Sequence, residues 1–97
     1  MRAYFFHPQA IAEADAAATF YEERQKGLGA RFVAALDDAI DRICRSPGIY
    51  REVETGVRKC RLLRFPYGVI FRERQAAIEV IAVMHIRREP GYWKART

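Results

Sequence analysis

The sequence predicts an α+β fold: an N-terminal strand, an antiparallel two-helix hairpin, and a three-stranded antiparallel meander, with the helices packed on one face of the sheet. Three observations carry this. Residues 8–25 are rich in Ala and Glu, and residues 28–43 repeat apolar side chains every three or four positions, the period of a helix. Residues 57–86 fall into short alternating or continuously apolar stretches separated by turn residues, the pattern of strands. Strands that follow one another directly pair antiparallel, and the helix pair then covers one face.

The first strand is the aromatic run Tyr4-Phe5-Phe6, ended by His7-Pro8. Pro8 suits the first helical position, where a missing N–H costs nothing. Ile11, Ala14, Ala18 and Tyr21 mark the apolar stripe of the first helix, thin enough for close approach. Gly27-Leu28-Gly29 breaks it, and Leu28, Phe32, Leu36, Ala39, Ile40 and Ile43 form the stripe of the second, stopped by Ser46-Pro47-Gly48. So short a break predicts a hairpin. A strand over Val57 to Phe65 sets Lys59 and Arg61 on one face and Cys60 and Leu62 on the other. Phe65 to Gly68 reads as a tight turn, Val69 to Arg72 as the next strand, and Arg74-Gln75-Ala76 as another turn. Ile78 to Ile86, apolar apart from Glu79, is expected to be a strand covered on both faces. The segment from Gly48 to Gly56 has no readable pattern.

The 97 residues make one domain, 1–97, and 51% apolar content argues against disorder. No apolar run approaches the roughly 20 residues that cross a bilayer. The N-terminus is too short and polar for a signal peptide, so a cytoplasmic protein with no membrane partner is expected. Cys44 and Cys60 form no C-x-x-C pair, and with His7 and His85 they make no metal cluster. One Ser and no glycine-rich phosphate loop exclude acyl-transfer triads and nucleotide-binding motifs. No cofactor is expected.

Charge is uneven. Residues 1–50 hold 6 basic and 7 acidic side chains, and residues 51–97 hold 11 and 5. Fourteen of the 17 basic residues are Arg, the planar fork suited to phosphates and carboxylates, so an acidic partner is expected. Arg58, Lys59, Arg61 and Arg64 form one cluster, in which Lys59 and Arg61 stand roughly 7 Å apart, near the phosphate spacing of a nucleic-acid strand. The plainer alternative is a solvated face. The second cluster is His85, Arg87, Arg88, Tyr92 and Trp93. His85 with Lys59, Arg61 and Arg87 supplies the acid, base and cations that RNA cleavage needs, with Glu52 or Glu54 as another base. Tyr92 and Trp93 stack on bases or pack back on the core. The residues alone do not choose.

The chain resembles the RelE/ParE superfamily of type II toxin–antitoxin toxins over nearly its whole length. The resemblance rests on Phe6, Pro8 and Ala10, on Ser46-Pro47 and on Arg61-x-x-Arg64-Phe65-Pro66-Tyr67-x-Val69-x-Phe71. It continues through Ile81-x-Val83-x-His85 with Arg87 and Arg88. It implies a small toxin neutralised by a cognate antitoxin that wraps it, with operator DNA bound only through the complex. In the RelE branch, which cuts messenger RNA on the ribosome, the basic pair corresponds to Lys59 and Arg61 and the late tyrosine to Tyr92. That branch's third-strand arginine falls on Gly68 and its last-strand arginine on Ile86. The ParE branch lacks the nuclease set and is associated with DNA gyrase.

The leading expectation is a ParE-like, non-hydrolytic toxin. Its target, expected to be gyrase, would be bound through Arg58, Lys59, Arg61, Arg64, Arg87, Arg88 and Trp93. The runner-up is a ribosome-dependent endoribonuclease with Lys59, Arg61, His85, Arg87 and Tyr92 as catalytic residues, and a third reading is an inactive relic that only binds antitoxin. The antitoxin is expected on Ala14, Ala18 and Tyr21 of the helix hairpin, reaching Arg61 and Arg64.

Overall fold

The computed structural model describes residues 2–97. Strand β1 (Tyr4–Phe6) leads into helices α1 (Pro8–Arg24) and α2 (Leu28–Arg45), and a 3₁₀ turn at Pro47–Ile49 follows. Then come β2 (Arg51–Glu54), β3 (Val57–Arg61), β4 (Tyr67–Arg74) and β5 (Ala77–His85), with a last 3₁₀ turn at Lys94–Arg96. The sheet order is β1-β5-β4-β3-β2. β1 lies parallel to β5, and every other pair is antiparallel.

The α+β expectation holds, with a correction to the strand count. The meander has four strands, because the unread segment contains β2, whose four residues are all exposed. Arg51-Glu52-Val53-Glu54 is a charged edge with a register shift after Glu52, and such an edge carries no apolar alternation to read. The turn expected at Phe65–Gly68 lies earlier: β3 stops at Arg61, Arg64 turns the chain at φ 69°, and Tyr67 and Gly68 already belong to β4.

Local chemistry sets the helix ends. His7 Nδ1 accepts from the Gln9 N–H (3.1 Å) and caps α1, with Pro8 following. The Glu22 carboxylate accepts from the Gly27 and Gly29 N–H groups and so satisfies the start of α2 (both 3.0 Å at closest). Gly29 lies where the hairpin closes: a Cβ there would come within 2.7 Å of the Ala18 carbonyl oxygen. The face α1 turns inward carries Ala10, Ala14, Ala17, Ala18 and Tyr21. Ile11, expected on that stripe, is 49% exposed.

Both faces of the sheet are covered at its centre. The helices pack on Cys60, Leu62, Val69, Phe71, Ile78, Val80 and Val83. Across the sheet, Val57, Ile70, Ile81, Ala82 and Met84 form a second cluster closed by Trp93. The unbroken apolar run of β5 is thus explained. Its one charged residue, Glu79, is buried and accepts from Arg72 Nε on β4 (2.7 Å). The ladder slips once: Ile70 faces Ala82 while Phe71 faces Val80, which leaves Ile81 as the extra residue of a bulge.

Replacing Gly29 with Val is expected to destabilise the fold by about 1–3 kcal/mol, since the side chain collides with backbone that cannot retreat. Gly48→Ala, where a Cβ meets nothing within 4 Å, is the neutral control. Chemical denaturation of the two variants measures the difference.

Candidate functional site

β2 and β3 raise a group of cations on the sheet face away from the helices. Lys59 pairs with Ile70 and Arg61 with Gly68, and strand alternation sends both side chains to the Trp93 side. Arg51 pairs with Lys59 from β2 and joins them. None of the three has an ion-pair partner among the described residues. Partial burial, then Arg61, then Arg51, push the Lys59 ammonium below its ordinary pKa. Its stem crosses Gly68, where a Cβ would lie 2.7 Å from Lys59 Cε. Beside it an apolar cleft of about 220 Å³ is lined by Ile70, Met84, Ile86 and Trp93.

His85 faces the other way. It pairs with Tyr67, and its ring meets the Tyr67 ring edge-on at 5.1 Å on the helix side of the sheet. Its Nδ1 accepts the Arg87 N–H (3.0 Å), so a neutral ring carries its proton on Nε2. The residues expected to form an RNA-cleaving set are therefore divided by the sheet. Acid–base partners must come within about 3 Å of the reacting group, directly or through one water.

Other expected residues are already occupied. Tyr92 donates its hydroxyl to Glu13 Oε2 (2.7 Å). Burial and that bond raise its pKa well above the ordinary phenol value, so its proton is held. Trp93, expected to contact the target, is 3% exposed and seals the second cluster. Arg58, half-buried on the helix side, donates to the Tyr50 carbonyl oxygen (2.6 Å). Arg64 and Arg87 are exposed, and Arg88 stacks on the Tyr92 ring at 3.8 Å. Ala14 and Ala18, expected to receive an antitoxin, instead pack against the core, because a thin Ala face lets α1 approach α2 and the sheet.

Two features had no local signal. One is a groove of about 600 Å³ between α2 and the β3–β4 loop, lined by Tyr21, Leu28, Arg31, Ala35, Arg64 and Phe65 among others. It is assembled from three separate segments, with Leu63 60% exposed beside it. The other is a network around Glu13. Its Oε1 accepts from the Val83 N–H (3.0 Å) and Arg96 Nη1 (2.9 Å), and its Oε2 from Tyr92 and Arg96 Nη2 (2.9 Å). Arg96 also donates to the Ile81 carbonyl oxygen (3.0 Å). This ties the C-terminal segment to α1 and to β5 where β1 has ended. Among the described residues there is no group of three metal-ligating side chains, and no helix is long and apolar enough to cross a membrane.

The chain matches the family model described as the ParE toxin of the type II toxin–antitoxin system, parDE, over residues 4–90. It is similar in structure to a chain of a chromosomal ParDE toxin–antitoxin system from P. aeruginosa. The TM-score is 0.65 and the identity 21%, covering 88% of this chain and 96% of that one. No curated protein sequence matches.

Burial alone would raise the Glu13 pKa, but its bonds to Arg96, Tyr92 and Val83 and the Arg96 charge outweigh it, and the net shift is downward. A folded value below the unfolded one stabilises the fold above the ordinary carboxylate range. That contribution is lost as pH falls through the lowered folded value. Glu13→Gln is expected to cost about 2–3 kcal/mol at neutral pH and to flatten the acid limb of stability. The fluorescence of Trp93, the sole tryptophan, reports both.

Proposed function

The chain belongs to the ParE toxin family, and on that premise we propose that it arrests bacterial growth by binding its target rather than by cutting RNA. The observation that carries this reading is the division of the cationic and acid–base residues: Arg51, Lys59 and Arg61 on one face of the sheet, His85 on the other. Clustered cations without acidic partners attract an anionic or acidic surface and speed its encounter. They do not move protons at neutral pH. The target contact is assigned to Arg51, Lys59 and Arg61 with the apolar cleft beside them, and the target is taken to be DNA gyrase, as in the ParE branch.

Neutralisation is assigned to the groove between α2 and the β3–β4 loop. Leu28, Ala35 and Phe65 offer apolar holes for a helix with anchors at i, i+3, i+4 and i+7, and Arg31 and Arg64 suit acidic side chains on it. Tyr21 and Arg64 of the expected antitoxin surface line this groove, whereas Arg61 lies on the far face of the sheet. The non-glycine residue Arg64, held at φ 69°, is the kind of local strain that collects at binding sites.

Pulse-labelling of new DNA and new protein within minutes of inducing this chain alone is expected to show DNA synthesis stopping first. Protein synthesis collapsing first would overturn the reading in favour of the ribosome-dependent nuclease, and unchanged growth would leave only antitoxin binding. Lys59→Ala and Arg61→Ala are expected to give graded, salt-sensitive losses of target affinity. His85→Ala should leave growth arrest in place, whereas a nuclease using it would lose about 10²–10⁴-fold in rate.

A further inference from the structure

A second hollow opens on the helix side of the sheet, between the middle of α1 and the end of β5. It holds about 260 Å³ and is lined by Ala16, Phe20, Tyr67, His85 and Arg88, with Glu13 at one side. Ala16 and its neighbour Ala17 keep it open, since larger side chains there would fill it. Phe20 is 46% exposed, although aromatic side chains usually cover such area.

The polar groups of the hollow are unbalanced. The His85 ring, whose Nδ1 accepts from the Arg87 N–H, offers an N–H donor at Nε2. Arg88 sits with its Cζ 3.8 Å from the centre of the Tyr92 ring and has no acidic partner among the described residues. Each Glu13 oxygen already accepts two hydrogen bonds and its charge is matched by Arg96. Donors are free and the strong acceptor is spent, so the chemistry suits a carboxylate on an apolar stem.

The hollow adjoins the groove assigned above to the antitoxin. Tyr21, which lines the groove, stacks edge-on against Phe20 (5.3 Å) and stands 6.2 Å from Tyr67, and both of those line the hollow. These aromatic rings form a ridge between the two. We propose that the antitoxin segment in the groove continues over the Tyr21–Tyr67 ridge and sets one acidic side chain between His85 and Arg88, its stem against Ala16 and Phe20. This second anchor rests on the reading of the groove. His85 is then an antitoxin contact on a different face from the cations assigned to the target.

The test uses the purified cognate antitoxin and three charge or packing variants. Arg88→Glu and Phe20→Ala, both at exposed positions, are expected to weaken antitoxin binding about ten-fold or more without lowering the melting temperature. A benzophenone side chain installed at Phe20 is expected to cross-link the antitoxin next to an Asp or Glu. If Arg88→Glu and Phe20→Ala bind as tightly as the parent while Arg64→Glu is weakened, the second anchor is wrong and the groove stands. If Arg64→Glu also binds normally, the groove reading fails as well. Intact antitoxin binding by Arg88→Glu with loss of growth arrest would assign the hollow to the target and overturn the proposal.

Discussion

The bulge at Ile81 sets the geometry on which the rest of the molecule depends. Along β5 the side chains of Ile78 and Val80 point to the helices and Glu79 and Ile81 away from them. Regular alternation would continue this to the end of the strand and bring His85 out on the face of Lys59 and Arg61. The extra residue reverses the order, so Ala82 joins Ile81 on the far side and Val83 and His85 return to the helix side. One unpaired residue thereby separates an imidazole from a row of cations by the thickness of a sheet. A bulge re-aims the side chains that follow it along the strand.

The same strand organises the remainder by being buried on both sides. Helix packing covers one face, which needs the small residues of α1 and the bare backbone at Gly29. Trp93 covers the other, and the segment bearing it is held by Glu13, Tyr92 and Arg96 rather than by a regular element. Beyond Phe6 the β1 edge of β5 has no strand along it among the described residues, and Glu13 and Arg96 bond to the Val83 N–H and Ile81 carbonyl in its place. A largely buried carboxylate is tolerated there because each of its oxygens meets two donors.

This arrangement leaves two surfaces of different character. The far face of β2 and β3 is a cluster of like charges, suited to long-range attraction and sensitive to salt. The helix side offers hollows with apolar floors and a few arginines, where burial supplies affinity and charge supplies register. On the function proposed above, one surface would meet the target and the other the antitoxin, and a residue tuned for one partner would not be constrained by the other.

Much was legible in the residues themselves. Helical periodicity, glycine and proline breaks and strand alternation are local properties, and they determined the two helices, β1, the core of the last three strands and the pairing of Lys59 with Arg61 on one face. The order and spacing of the motifs along the chain also carried the family resemblance. Tertiary structure alone decided the edge strand β2, whose charged residues have no periodicity, and the side on which His85 emerges, because a bulge exists only relative to a partner strand. It decided also that Trp93 is core, that Ala14 and Ala18 are interior, and that Glu13 meets Tyr92 across 79 positions of sequence. Those facts depend on contacts between distant segments, and no window of neighbouring residues contains them.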